Sequence, residues 1–145
     1  MGLSAVVYTN RRNLKTNVID DKYLEVDKET GEVFIIDEAN LDLNLPEEFF
    51  VAINYRIGNV STVNHLHKEI SRVLSEGSVI LSKILYSGSH CGDKLALSDL
   101  SILKTEIIFL KRELRNRSSI LEAFTENMLE LVKISEKEGN PIVFV

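Results

Sequence analysis

The second half of the chain carries a hydrophobic pattern with the period of an α-helix. Its first stretch repeats apolar residues at steps of three and four: Val60, Val63, Leu66, Ile70 and Val73-Leu74. This spacing places the apolar side chains on one face of a helix. Asn59 or Ser61 can accept a hydrogen bond from a free backbone amide at its start, and Glu76-Gly77 ends the pattern. We therefore predict a helix that begins near residue 60.

A longer pattern of the same period runs from Ser98, a good N-cap residue, to Glu138. Its apolar positions are Leu100, Leu103, Ile107, Leu110, Leu114, Leu121, Phe124, Met128 and Leu131. This seven-residue repeat is interrupted only at Arg117. One helix of about 60 Å, at 1.5 Å per residue, satisfies it. A helical hairpin broken near the weak helix formers of residues 116–119 also satisfies it, and usual helix lengths favour that hairpin. Gly139-Asn140-Pro141 ends the helical segment.

The first half of the chain reads as strands and turns. Residues 3–8 form a short apolar run rich in β-branched side chains. Residues 23–26 and 33–36 flank a turn in which Gly31 can adopt a positive φ, which predicts a β-hairpin. Residues 142–145 are again apolar and β-branched, and we predict that they add a last strand to the N-terminal sheet.

Two segments allow more than one structure on periodicity alone. Residues 49–53 are either the end of a short helix that starts at Pro46 or a buried strand, and residues 78–86 are either a buried strand or a short helix. The whole pattern predicts one α+β domain over residues 1–145. In it, an N-terminal antiparallel sheet carries C-terminal helices, as a helical hairpin or one long helix, packed on one face.

The composition of the chain excludes some classes of function. The net charge of −5 and pI of about 5.2 leave no electrostatic footprint for nucleic acid. We interpret the basic clusters at residues 11–15 and 111–117 as solvated helix and loop faces. Cys91 is the only cysteine, which excludes an internal disulfide and is typical of a reducing compartment. With no secretory signal and no apolar run of about 18 residues, we expect a cytoplasmic protein without a membrane segment.

The histidines and the cysteine are the candidates for chemistry. His65 and His67 would point about 200° apart on a helix, at about 100° per residue, so they do not predict a metal site. The loop from Ser89 to Asp93 gathers His90, a thiol at Cys91 and a carboxylate. Adjacent side chains diverge, however, and catalytic partners usually come from distant positions. We predict a tight turn there, with no metal, no cofactor and no catalytic residues.

An acidic run is the candidate binding site. Asp37, Glu38, Asp42, Glu47 and Glu48 lie close together, with no basic residue between them. Such a segment can steer a basic protein partner by complementary potential. Plain solvated surface is the alternative interpretation.

The order of several short motifs carries a family resemblance. Gly58-Asn59-Val60, His65-Leu66, the turn YSGSHCGD at residues 86–93 and the helical residues 100–114 follow one another. This order resembles that of small bacterial proteins, some of which look like immunity proteins of toxin–immunity systems. In those, a YSGxHxGD-like turn links a hydrophobic segment to a helix rich in Leu and Glu. Here Cys91 stands where a small or polar residue is more usual. The resemblance implies a small acidic cytosolic protein that binds a toxin domain and blocks it.

These observations lead to a prediction of protein binding and not of catalysis. The expected function is an immunity protein whose acidic surface covers the active site of a basic toxin. One alternative is a small hydrolase or transferase that uses Cys91 in the loop from Ser89 to Asp93. Another is an oligomer-forming structural protein, with a homodimer through residues 98–138.

Overall fold

The computed structural model describes residues 2–14, 20–36, 47–90 and 92–145, with only the backbone of residues 47 and 48. Its main sheet has four antiparallel strands, β1 (Gly2–Tyr8), β4 (Val51–Asn59), β5 (Lys94–Leu95) and β6 (Ile142–Phe144). Their order in the sheet is β4-β1-β6-β5. The last strand joins the sheet as predicted. The sheet is not purely N-terminal, because β6 lies between β1 and β5, and both β5 and β6 come from the second half of the chain.

The predicted β-hairpin is confirmed, and it forms a sheet of its own. Strands β2 (Leu24–Val26) and β3 (Val33–Ile35) pair antiparallel, with Glu25 opposite Phe34. In the turn between them Gly31 has a φ of 79°, and a Cβ there would collide with the side chain of Asn140. The hairpin turn is therefore seated against the segment that leads into β6.

The long heptad segment is a helical hairpin. Helix α1 spans Val60–Ile70, α2 spans Leu100–Glu113 and α3 spans Ser119–Glu138. The break falls at residues 114–118, where the sequence forms helix weakly. Ser118 caps α3, because its hydroxyl accepts a hydrogen bond from the amide of Leu121 at 3.1 Å. Gly139 ends the same helix with a φ of 68°.

The heptad side chains form the core. Its α2 and α3 members from Leu103 to Leu131 are fully buried apart from Leu114, and they pack with Leu3, Ala5 and Val7 of β1. The helices contact the sheet through α1 and α3, and α2 packs on α3. A homodimer through residues 98–138 stays a prediction. Since the heptad face is occupied, it would use exposed side chains of α2 such as Ile102 and Ile108.

The structure shows which elements the two segments left open by periodicity form. Residues 47–50 form a 3-10 helix that leads directly into β4, and residues 80–84 form a single turn of π-helix. The start of α2 differs from the prediction. A 3-10 turn occupies residues 97–99, so Ser98 is not the N-cap of α2, and the Asp99 side chain binds Lys83 at 3.1 Å instead of capping the helix.

Candidate functional site

The predicted acidic binding residues fall on a part of the chain with no described side chains. Asp37, Glu38 and Asp42 lie outside the described residues, and so do the side chains of Glu47 and Glu48. The segment leaves the end of β3 and returns to the 3-10 helix before β4. Its attachment points are therefore the hairpin on one side and the edge strand of the main sheet on the other.

The hairpin itself is strongly acidic, and we call residues 20–36 the acidic hairpin. It holds Asp20, Asp21, Glu25, Asp27, Glu29 and Glu32 against Lys22 and Lys28. Phe34 is 42% exposed and lies directly across from the exposed Glu25. The opposite face packs Leu24 and Val33 into a small separate core with Leu14. The outward face thus combines carboxylates with an exposed aromatic ring.

Charge is divided very unevenly along the chain. Residues 20–48 hold 11 of the 22 acidic side chains and 2 of the 17 basic ones, a net charge of −9. The other residues hold 11 acidic and 15 basic side chains, a net charge of +4. The overall value of −5 is therefore the sum of an acidic segment and a mildly basic remainder of the chain.

A cleft of about 360 Å³ lies between α1 and the turn that joins α2 to α3. We call it the basic cleft. It is lined by His65, Lys68, Glu69, Arg72 and residues 116–118. The sequence pattern does not predict it, because its two sides are more than 40 residues apart along the chain. The one available signal was the spacing of Lys68 and Arg72, which are four residues apart.

Glu69 joins the two sides of this cleft. Its carboxylate accepts hydrogen bonds from the amide of Ser118 at 3.0 Å and from the hydroxyl of Ser118 at 2.7 Å. His65 Nε2 lies 3.3 Å from the same carboxylate. Burial acts to raise the pKa of Glu69, but the two Ser118 bonds and the nearby charges of His65 and Arg72 outweigh it, so the pKa lies below its usual value. Glu69 is therefore an internal anion bound at the start of α3.

Arg117 has a structural role that its place in a basic cluster did not predict. Its Nε binds the carboxylate of Glu122 at 2.5 Å, and its Nη1 donates to the carbonyls of Lys111 and Leu114. The bond to Glu122 raises the pKa of Arg117, and the same bond lowers the pKa of Glu122. Arg117 thus satisfies carbonyls at the end of α2 and is not simply a solvated charge.

The histidines do not converge. His67 Nε2 lies 3.5 Å from Glu76, away from the Glu69 partner of His65. His90 stacks on Tyr86 with ring centroids 4.0 Å apart, and its buried Nε2 has no hydrogen-bond partner among the described residues. Cys91 lies outside those residues. Within the described ranges, no group of three or more His, Cys, Asp or Glu side chains could hold a metal ion.

The fold and these surfaces define an α+β domain with an acidic hairpin and a basic cleft. None of the helices in the described part of the chain is long and apolar enough to cross a membrane. No protein-family model, curated protein or solved structure matches this chain.

Proposed function

We propose that this protein is a protein-binding domain of the immunity type, which neutralises a basic toxin by covering its active site. The observation that carries the proposal is the net charge of −9 on residues 20–48. A surface of one sign attracts a partner of the opposite sign and speeds their encounter. Toxins that attack nucleic acids need basic clefts, so they are the partner class that this charge favours.

The acidic hairpin also combines an exposed aromatic ring with nearby carboxylates, as protein interfaces do. Aromatic residues are enriched in the buried centres of protein interfaces, and polar residues form the rim. Phe34 lies directly across from Glu25 in this arrangement, and both side chains are exposed. Its exposed ring supports a role as an apolar anchor, with the carboxylates around it contacting basic side chains of the partner.

A genetic observation and a kinetic experiment test the proposal. The gene immediately upstream is expected to encode a toxin with a C-terminal nuclease-like domain, and that domain is the partner to purify. Its association rate with this protein is then measured from low to high salt. Neutralising Asp37, Glu38, Asp42, Glu47 and Glu48 to the matching amides should slow association at low salt and flatten its salt dependence.

A matched variant controls for net charge. Five exposed glutamates that lie outside residues 20–48 are changed to Gln: Glu76, Glu113, Glu126, Glu130 and Glu136. This variant loses the same number of negative charges and should keep most of the wild-type association rate. Equal slowing by both variants, or no binding to the adjacent toxin domain, would contradict the proposal.

A further inference from the structure

The basic cleft has an excess of positive charge that its own residues do not neutralise. The residues that line it carry three positive charges, on Lys68, Arg72 and Arg117, and one negative charge, on Glu69, before His65 is counted. The carboxylates of Glu122 and Glu126 act on Arg117 from outside the lining. Neither Lys68 nor Arg72 forms an ion pair with any residue that the structure describes. Both line the same side of the cleft, Lys68 in the last turn of α1 and Arg72 just after its end.

The one carboxylate that lines the cleft is already engaged. Both oxygens of Glu69 accept hydrogen bonds from Ser118, so the carboxylate is held toward the start of α3. Arg117 uses Nε and Nη1 for its structural bonds, and Nη2 makes no hydrogen bond to the described residues. The donors left for a ligand are therefore the Lys68 ammonium, the Arg72 guanidinium and Arg117 Nη2.

From this arrangement we infer that the basic cleft binds the phosphate group of a small phosphorylated molecule. A tetrahedral oxyanion can accept from a lysine and two arginines at once, and arginine forks match its oxygens. The volume of about 360 Å³ lies within the range of small-molecule sites, which span roughly 300–1,000 Å³. This site lies outside the acidic segment, so the inference is independent of toxin binding.

Nuclear magnetic resonance titration of the full chain with inorganic phosphate tests the inference. Ionic strength is held constant with sodium chloride, and the backbone amides and arginine Nε signals are followed. We expect saturable shifts confined to residues 65–72 and 116–118. The double variant Lys68→Ala with Arg72→Ala should weaken phosphate binding at least about tenfold, the effect of losing one charge-assisted hydrogen bond.

Lys133→Ala with Lys137→Ala is the matched control, because it removes two exposed lysines of α3. This control should bind phosphate as the wild type does, and the spectra of both variants away from the cleft should be unchanged. A nucleoside monophosphate in place of phosphate should bind at the same residues. Shifts that do not saturate, or equal weakening in both variants, would overturn the inference. Much tighter binding of a short single-stranded oligonucleotide over the same residues would also overturn it, since the ligand would then be nucleic acid.

Discussion

At the scale of single residues, three glutamates accept hydrogen bonds from backbone amides of distant chain segments. Glu69 binds Ser118 at the start of α3, and Glu106 accepts bonds from the amides of residues 79 and 80 at the start of the π-helical turn, both at 2.9 Å. Glu138, 5% exposed, accepts from the Asn10 amide at 2.8 Å. In each case a carboxylate satisfies amides that local structure leaves free. These long-range contacts fix how the elements are placed.

Glu69→Gln should lower stability by about 1.5 to 3 kcal/mol at neutral pH, the range for hydrogen bonds to a charged group. The folded state lowers the pKa of Glu69, so its contribution is present above the usual value of 4.5 and is lost as pH falls through the lowered pKa. Urea unfolding at neutral pH and below pH 4.5 checks this. The difference between wild type and variant should shrink in acid. The exposed control Glu76→Gln should change stability by less than about 0.5 kcal/mol.

Phe34→Ala tests the proposed interface without changing charge. The ring is largely exposed, so the variant should unfold at nearly the wild-type urea concentration. Loss of an anchoring aromatic residue costs about 2 kcal/mol or more of binding energy, roughly a 30-fold faster dissociation from the toxin domain. Leu97→Ala, an exposed apolar residue before α2, serves as the control and should leave dissociation unchanged. A Phe34→Ala complex as long-lived as the wild type would exclude Phe34 as an anchor.

At the element scale, the ends of α3 depend on two different devices. Its start uses Ser118 and the carboxylate of Glu69, and its end uses the left-handed conformation of Gly139. Gly139→Ala should destabilise the protein by about 1 to 2 kcal/mol, because an L-residue is strained at a φ of 68°. A Cβ added there would meet no atom within 4 Å, so the effect is conformational.

Gly77 provides a matched control for this prediction. It also has open space around an added Cβ, but its φ is not positive. Gly77→Ala should therefore be neutral or stabilise by about 0.4 to 1 kcal/mol, since it reduces the freedom of the unfolded chain. Urea unfolding with linear extrapolation measures both variants. If both substitutions have the same sign and size, the left-handed cap is not the cause.

At the scale of the whole molecule, the two ends of the described chain meet in the middle of the main sheet. Strand β6 pairs with both β1 and β5, and Ile142 and Phe144 are fully buried. Ending the chain after Asn140 should abolish the cooperative unfolding transition. Removing buried residues of these types costs about 2 to 5 kcal/mol each, comparable with a typical stability of 5 to 15 kcal/mol.

Circular dichroism during thermal unfolding measures this loss. Val145→Ser is the control, because the Val145 side chain is exposed while its backbone pairs with Ser4. That variant should unfold cooperatively, close to the wild-type temperature. A truncated chain that still unfolds in one sharp transition would show that β6 is dispensable.

The sequence by itself determined the elements in which the spacing of apolar residues matches the side chains that are buried. The heptad positions of α2 and α3 are buried as their spacing predicts, and the hairpin around Gly31 has the predicted turn, because in both cases neighbouring residues create the signal. It also located the charge, since the acidic segment can be counted directly. It did not predict β5, because two residues are too short to show alternation.

Tertiary structure alone decided what lies next to what. At the break between α2 and α3, Arg117 binds carbonyls at the end of α2 and Ser118 caps α3. Ser118 also binds Glu69, 49 residues away along the chain. The basic cleft lies where that contact joins α1 to the α2–α3 turn. Ser98 is a good capping residue by type, yet α2 begins beyond it. Local propensities amount to about 1 kcal/mol or less per residue, so long-range contacts between buried groups override them.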